Sequence, residues 1–227
     1  TKKLMVGHSM YDYWLREYYG VNSANGDALY RANIYDATTP QNYVIIGSDT
    51  LTNNQNNARY HYAGSAIPDF GGGITNILKY KDVTLEFLFT YSVGGKIYDQ
   101  MYASQMHAGN YGASWNSDIL NRWTPENPNS NIPRLDNSKT TPFGAGSDRW
   151  LIDASYLKLK SATLSYTFPS KIASQMYLSN LRVYVSGDNL WQVSKRKGLN
   201  VGEAFSGVLS NVYTPARIIT FGLNLTF

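Results

Sequence analysis

The feature that most limits what this chain can become is a two-residue alternation of bulky apolar and small polar side chains, repeated along well-separated stretches. In TPARIITFGLNLTF, Ile219, Phe221, Leu223, Leu225 and Phe227 share one face, and Thr220, Gly222, Asn224 and Thr226 share the other. In DVTLEFLFTYSVGG, Val83, Leu85, Phe87, Phe89, Tyr91 and Val93 oppose Thr84, Glu86, Leu88, Thr90 and Ser92. That run is about 11 residues long, as a tilted bilayer-spanning strand requires. A third run, LRVYVSGDNLWQV, sets Leu181, Val183 and Val185 against Arg182, Tyr184 and Ser186. The fourth, SYLKLKSATLSYTF, begins with Leu157 and Leu159 in one phase and resumes with Ala162, Leu164, Tyr166 and Phe168 in the other, which predicts a β-bulge near Lys160-Ser161. MYDYWLREYYGV and ALYRANIY are weaker strand candidates.

Connection lengths carry as much information as the strands. From residue 72 onward they alternate: a short reversal at Lys81-Asp82, a long link at 94–154, about twelve residues at 168–179, and a long link at 194–214. An antiparallel meander with short turns at one end and long loops at the other is the layout of an outer-membrane barrel, and it puts the last residues at the short-turn end. The link 94–154 holds two possible short helices, in KIYDQMYASQMHAG and SWNSDILNRW, and then the turn-rich TPENPNSNIP. The polar, Asn-rich segment 47–65 reads as an exposed loop whose composition leans towards disorder.

Composition agrees with a membrane strand protein. Charged residues make up 16% of the 227, against ~25% in an average soluble domain, while tyrosine numbers 19. Tyrosine suits both pleated sheet and the aromatic belts at a membrane–water boundary. The lack of a long apolar run excludes a transmembrane helix but not a barrel, whose alternating strands keep mean hydropathy low. The length fits one large domain or two small ones. No cysteine is present, which excludes disulfides and thiolate metal sites. The net charge of +4 is scattered, with Lys195, Arg196 and Lys197 the one tight cluster, so no nucleic-acid partner is expected. Thr1-Lys2-Lys3 is followed by His8, Asp12 and Arg16, not by the apolar core of a signal peptide.

Nothing in the chain spells out catalysis. His8, His61 and His107 are far apart, and none belongs to an i, i+4 metal pair. Glu86 and Asp188 fall in strands without paired acid and base. SVGGKIY and FGGGI lack Walker spacing, and their glycines fit strand exits better. Asn224-Leu225-Thr226 matches a glycosylation sequon but lies in a strand. No enzyme activity, cofactor or metal is expected.

Six segments, in order, resemble the C-terminal part of the SusC/RagA-type TonB-dependent outer-membrane transporters of Bacteroidetes: HSMYDYWLREYYGVNSANGD, AIPDFGGGITNILKYKDVTLEFLFTYSVGGKIYD, ILNRWTPENPNSNIPRL, SDRWLIDASYLKLKSATLSYTFP, LRVYVSGDNLW and PARIITFGLNLTF. The resemblance implies an all-β fold, with residues 1–227 forming the last antiparallel strands of a roughly 22-stranded transmembrane barrel and with long extracellular loops near 36–70, 94–154 and 194–214. Such a barrel needs ~220 residues for strands alone at ~10 each, so the chain reads as a fragment whose plug and TonB-contacting segment lie elsewhere. It implies import of oligosaccharides or peptides across the bacterial outer membrane. The partners it implies are the rest of the barrel and plug, a SusD-like surface lipoprotein, the TonB complex, the barrel-insertion machinery and lipid. Phe221, Leu223, Leu225 and Phe227 are then the closure and assembly signal: a barrel has no free edge only if its last strand pairs with its first. Tyr98, Tyr102, His107, Tyr111 and Trp115 are the candidate substrate contacts, aromatic bodies with polar tips on the long loop. Two rival readings are an autonomous extracellular β-sandwich binding module and a complete barrel of about eight strands.

Overall fold

The computed structural model describes residues 1–196, 199–203, 206–210 and 213–227. Lys197 of the basic cluster and part of the 194–214 link lie outside the described residues. The strands preceding the first long link are β1 (Asp12–Arg16), β2 (Tyr18–Val21), β3 (Ala28–Arg31), β4 (Tyr43–Ile46), β5 (Asp49–Thr52), β6 (Tyr60–Ser65), β7 (Phe70–Tyr80) and β8 (Val83–Val93). After them come β9 (Lys96–Asp99), β10 (Leu151–Asp153), β11 (Tyr156–Thr167), β12 (Asn180–Ser194), β13 (Val208–Leu209) and β14 (Ile218–Thr226). They form two compact units, one of residues 1–67, 96–152 and 204–211 and one of residues 68–95, 153–203 and 212–227.

The second unit is one antiparallel sheet in the order β14-β12-β11-β8-β7. Register carries the sequence alternation across all five strands. Leu78, Leu85, Leu164, Val185 and Phe221 align in one rank, and Tyr80, Val83, Tyr166, Val183 and Leu223 in the next. The result is a continuous apolar face, and it is bare: Phe221 is 80% exposed, Leu223 65% and Leu78 55%. The other face carries Thr84, Thr163, Ser165, Ser186, Thr220 and Asn224. Leu181 and Val185 sit opposite Leu225 and Phe221 within this face rather than inside a second sheet, which removes the sandwich reading. The complete small barrel fails too: among the described residues β14 pairs with β12 alone and β7 with β8 alone, so the sheet is open.

The expected bulge is present, and it belongs to a graded series. Phe87, Ala162 and Gly187 align, as do Phe89, Leu159 and Trp191. Between these ranks the chain takes two steps in β8, three in β11 and four in β12. One extra residue, Lys160, flips the phase of β11; β12 carries one more still around Asn189-Leu190 and so restores its phase. Asn189 adopts φ 51 to do so, and Lys160 Nζ reaches its Oδ1 at 3.3 Å. The short links also fall where connection length puts them. Lys81 (φ 53) and Asp82 turn β7 into β8, and a short helix, Ser170–Gln175, lies between β11 and β12. Thr167 N donates to Asp82 O at 2.9 Å and Ser179 N to Thr226 O at 2.7 Å, so both links and the last residues of β14 lie at the same end of the strands.

The first unit is built differently. Its core gathers Tyr13, Leu15, Ala63, Tyr98, Met106, Ile119, Ile132, Phe143 and Trp150 from short strands and turns. The segment 47–65, expected as an exposed loop, is ordered: it contains β5 and β6, and Leu51 and Thr52 are fully buried. Its asparagines are structural. Asn54 Oδ1 accepts from Asn56 N, Asn57 Nδ2 donates to Tyr43 Oη at 2.6 Å, and Asn53 Nδ2 reaches Asp27 at 3.1 Å. Ser147–Trp150 form the hub. Asp148 accepts Tyr18 N and pairs with His61 Nε2, both at 2.9 Å, while Trp150 Nε1 donates to Ala145 O at 2.9 Å. The Arg149 guanidinium lies 4.5 Å from the Trp150 ring and 5.1 Å from that of Tyr18, a cation held by π faces.

Gly222 faces Tyr184 across β14 and β12, and a Cβ there would stand 2.2 Å from the ring. Gly222→Val should therefore weaken this pairing by ~1–3 kcal/mol, as overpacking does. Hydrogen exchange on the full-length protein should show lost protection across Ile218–Thr226 with β7 and β8 unchanged. Equal protection in both proteins would refute the close packing.

Candidate functional site

The sequence candidates lie on the stretch that follows β9. Asp99 ends that strand and caps α1 (Gln100–Gln105), its Oδ1 accepting from Tyr102 N at 2.9 Å. Met106, fully buried, anchors the helix exit. The chain then reverses through Gly109 (φ 125) and Gly112 (φ 77), a backbone region that favours glycine. His107 Nδ1 accepts from Gly109 N at 3.3 Å and Asn110 N at 3.0 Å. An accepting Nδ1 puts the proton of the neutral ring on Nε2. Trp115 closes the turn by stacking on that ring, centroids 5.3 Å apart at 23°, and by donating Nε1–H to His107 O at 2.8 Å.

These bonds separate the candidates into supporting and presented residues. Tyr98 is a core side chain, 4% exposed. Tyr102 packs edge-on against Trp150 and donates to Asp118 Oδ2 at 2.9 Å. His107 is buried and acts as the seat for Trp115. Trp115, 46% exposed, and Tyr111, fully exposed, present their rings outward. They border a wide, shallow concavity of ≈ 830 Å³ that Asn110, Arg134, Asp136 and Asn137 complete. None of these four was a candidate from the sequence. Arg134 bonds Asp136 at 2.9 Å and Asp27 at 3.3 Å, and Lys139 bonds Asp27 at 2.6 Å. The Ser138 hydroxyl and amide hold the Asp136 carboxyl below the usual carboxylate range. A ring shelf beside two side-chain amides, a cation and a carboxylate can stack on and hydrogen-bond a polar ligand.

The other two histidines are engaged in packing. His8 stacks on Tyr62 with centroids 3.5 Å apart, and His61 is spent on Asp148. The family-like stretch Asn121–Arg134 is scaffold as well. Trp123 donates Nε1–H to Ser23 O at 3.0 Å, and its ring occupies the place a Cβ on Gly26 would need. Ser130 Oγ bonds Asn121 O at 2.6 Å.

No family model matches the chain. Two curated proteins of Formosa agariphila, the TonB-dependent receptors P26 and P3, are 31% and 29% identical to it over 175 and 182 residues. Each alignment covers 72% of this chain and 17% of the relative. The TonB-dependent receptor SusC of Bacteroides thetaiotaomicron is 27% identical over 156 residues, covering 68% of this chain and 15% of SusC. Among solved structures, the RagAB peptide importer in its closed-closed state superposes with a TM-score of 0.74 at 25% identity, over 95% of this chain and 23% of the importer chain. Its open-open state gives 0.72 at 22% identity, over 100% of this chain and 25% of that one. This chain is a homologue of SusC/RagA-type TonB-dependent receptors. It spans about a sixth of the length of these curated receptors. The five-stranded sheet with its bare apolar face is accordingly a segment of a TonB-dependent receptor barrel.

Burial pushes the phenols of Tyr98 and Tyr13 up to about 12. Each holds its proton more tightly folded than unfolded, where tyrosine titrates near ~10. Their stabilising contribution is therefore whole below pH ~10 and is lost as pH rises through the folded values. Tyrosinate absorbance of the full-length receptor should show a class ionising near pH 12, together with loss of near-ultraviolet circular dichroism. Titration complete near pH 10 with the dichroism intact would contradict this burial.

Proposed function

We propose that the chain is the C-terminal part of the barrel of an outer-membrane nutrient importer driven through TonB, with no chemistry of its own. The observation that carries this reading is the apolar face of the open five-stranded sheet. Five paired strands exposing Ile74, Leu78, Leu164, Phe221 and Leu223 would be an aggregation hazard in water and suit hydrocarbon. Strand lengths of 9 to 15 residues suit a tilted crossing. Tyr80, Tyr166, Phe168 and Phe227 gather at the short-turn end as an interfacial belt would. The links near 36–70, 94–154 and 194–214 are then extracellular. TonB acts through the receptor's N-terminal part, the barrel-insertion machinery assembles the strands, and a SusD-like lipoprotein closes the top.

Oligosaccharides or peptides are the substrates of this proposal, and the likeness to the RagAB peptide importer favours peptides. Tyr111 and Trp115 make the contact, with Tyr98, Tyr102 and His107 holding them in place. Phe221, Leu223, Leu225 and Phe227 form the row that seals β14 against lipid.

An arginine in the middle of that row should cost ~2–4 kcal/mol, the penalty of a cation on a lipid-facing strand. Leu223→Arg should strip folded receptor from the outer-membrane fraction, while Asn224→Arg, on the opposite face, should assemble near the normal level. Equal yields would sink the membrane reading. Replacing Tyr111 and Trp115 together by Ala should weaken substrate uptake about tenfold, the ~1.5 kcal/mol of a lost aromatic contact, at an unchanged receptor level. Unaltered uptake would remove them from the path.

A further inference from the structure

The two short links of the large sheet are built differently. Lys81 and Asp82 alone join β7 to β8, whereas residues 168–179 join β11 to β12 and fold into the helix Ser170–Gln175. That helix is docked by Ala173 and Leu178, both buried with Leu181 and packed against Phe168. Phe168 continues the apolar phase of Leu164 and Tyr166, and Leu181 that of Val183 and Val185. The helix therefore sits on the end of the apolar side of the sheet, not on its polar side. Within the sheet β11 and β12 are flanked by β8 and β14, so no further barrel strand borders this link.

The residues not used in docking sort by face, because positions four apart on a helix are neighbours. Ile172 and Met176 form an apolar pair, 43% and 57% exposed, while Ser170 with Ser174 and Lys171 with Gln175 make the polar side. The Ser174 hydroxyl donates to Ser170 O at 2.8 Å, and no acidic residue occurs between Phe168 and Leu181. The helix ends in a Schellman turn: Leu178 N donates to Ala173 O at 3.0 Å and Tyr177 N to Ser174 O at 3.1 Å. Such a turn needs one left-handed residue, a place that glycine fills without strain. Here it is Tyr177, at φ 59. Its ring is 93% exposed and has no hydrogen-bond or ring partner among the described residues. The backbone thus accepts strain to project an aromatic ring away from the protein.

We propose that this turn helix is an interfacial anchor, lying among the phospholipid headgroups at the short-turn end with Ile172, Met176 and Tyr177 in contact with acyl chains. An apolar face with an aromatic ring, backed by a polar side that carries a lysine and no carboxylate, is the composition of a helix that lies in a bilayer interface. The occupant follows from continuity: Ala173, Leu178, Phe168 and Leu181 link the exposed side chains to the apolar face of the sheet. Lys171 and Gln175 keep to headgroups and water. The proposal rests on the reading of the sheet face as lipid-exposed, and it adds a membrane contact that the import function does not require.

The test uses the full-length receptor in nanodiscs of phosphatidylethanolamine and phosphatidylglycerol. A nitroxide is placed singly at Ile172→Cys, Met176→Cys, Tyr177→Cys or Gln175→Cys, and the parent treated with the same reagent supplies the background. Electron paramagnetic resonance then measures collisions with oxygen and with a water-soluble nickel chelate. The oxygen-to-nickel ratio at the first three positions should exceed that at Gln175→Cys about tenfold, as for an apolar face sunk ~5–10 Å into the interface. Equal ratios at all four positions overturn the anchor and place the helix in water. An immobilised label shielded from both reagents overturns the lipid assignment in favour of a protein contact. A nitroxide at Leu223→Cys separates the two levels. If it meets oxygen and not nickel while the helix labels report water, only the anchor falls; if it is open to nickel, the membrane reading itself falls.

Discussion

Backbone pairing is the constraint on which the large sheet depends. A strand can turn its greasy side to hydrocarbon only if its amides and carbonyls are satisfied within the protein, because lipid offers them no partner. The ladders joining β7, β8, β11, β12 and β14 meet that demand laterally and leave side chains free to sort by face. Burial, the usual organiser of a soluble core, is nearly absent from this unit: Ser92, Ser165, Ala173, Leu178, Leu181 and Gly187 are among its few buried residues. The order of its apolar residues comes from register and not from enclosure. The free edges of β7 and β14 follow from the same logic, since a barrel segment can satisfy its outermost strands only through further strands.

The first unit solves the opposite problem. Short strands and turns cannot supply long ladders, so several buried polar groups find individual partners. Tyr13 sends its hydroxyl to the carbonyls of Lys96 and Gly207, Asp148 ties β2 to β6, and Asp27 gathers Arg134 and Lys139. Such a fold tolerates polar composition because its partners are specific. The Ser147–Trp150 motif is compact for the same reason: a carboxylate that ties two strands, a caged cation and a buried indole occupy the consecutive positions Asp148, Arg149 and Trp150.

What could be read from sequence divides along the same boundary. The alternation of β8 and β14, the phase break at Lys160, the turn at Lys81-Asp82 and the rhythm of short and long links were all legible, because period and length are local quantities. The ordered state of 47–65 was not. Asn53 and Asn57 find partners at Asp27 and Tyr43, and composition alone cannot distinguish an asparagine that caps from one that floats. Trp115 and Tyr111 stood out as aromatic residues on a long loop, whereas Arg134, Asp136 and Asn137 did not. Only the fold brings them beside Gly109, and nothing periodic marks their meeting. Tyr98 was visible as an aromatic side chain but not as a buried one, since β9 is too short to declare its inner face.

The graded lengths of β8, β11 and β12 between two shared ranks have an evolutionary corollary. Deleting Lys160 alone would turn Leu157 and Leu159 to the watery side and send Lys158 into lipid, while every residue from Ala162 onward kept its place. Length changes at this belt are therefore quantised, tolerable only when neighbouring strands shift in concert or a strand gains two residues at once. Point substitutions that keep the apolar or polar character of a position carry no such penalty, so side-chain identity can drift widely while the spacing here stays frozen.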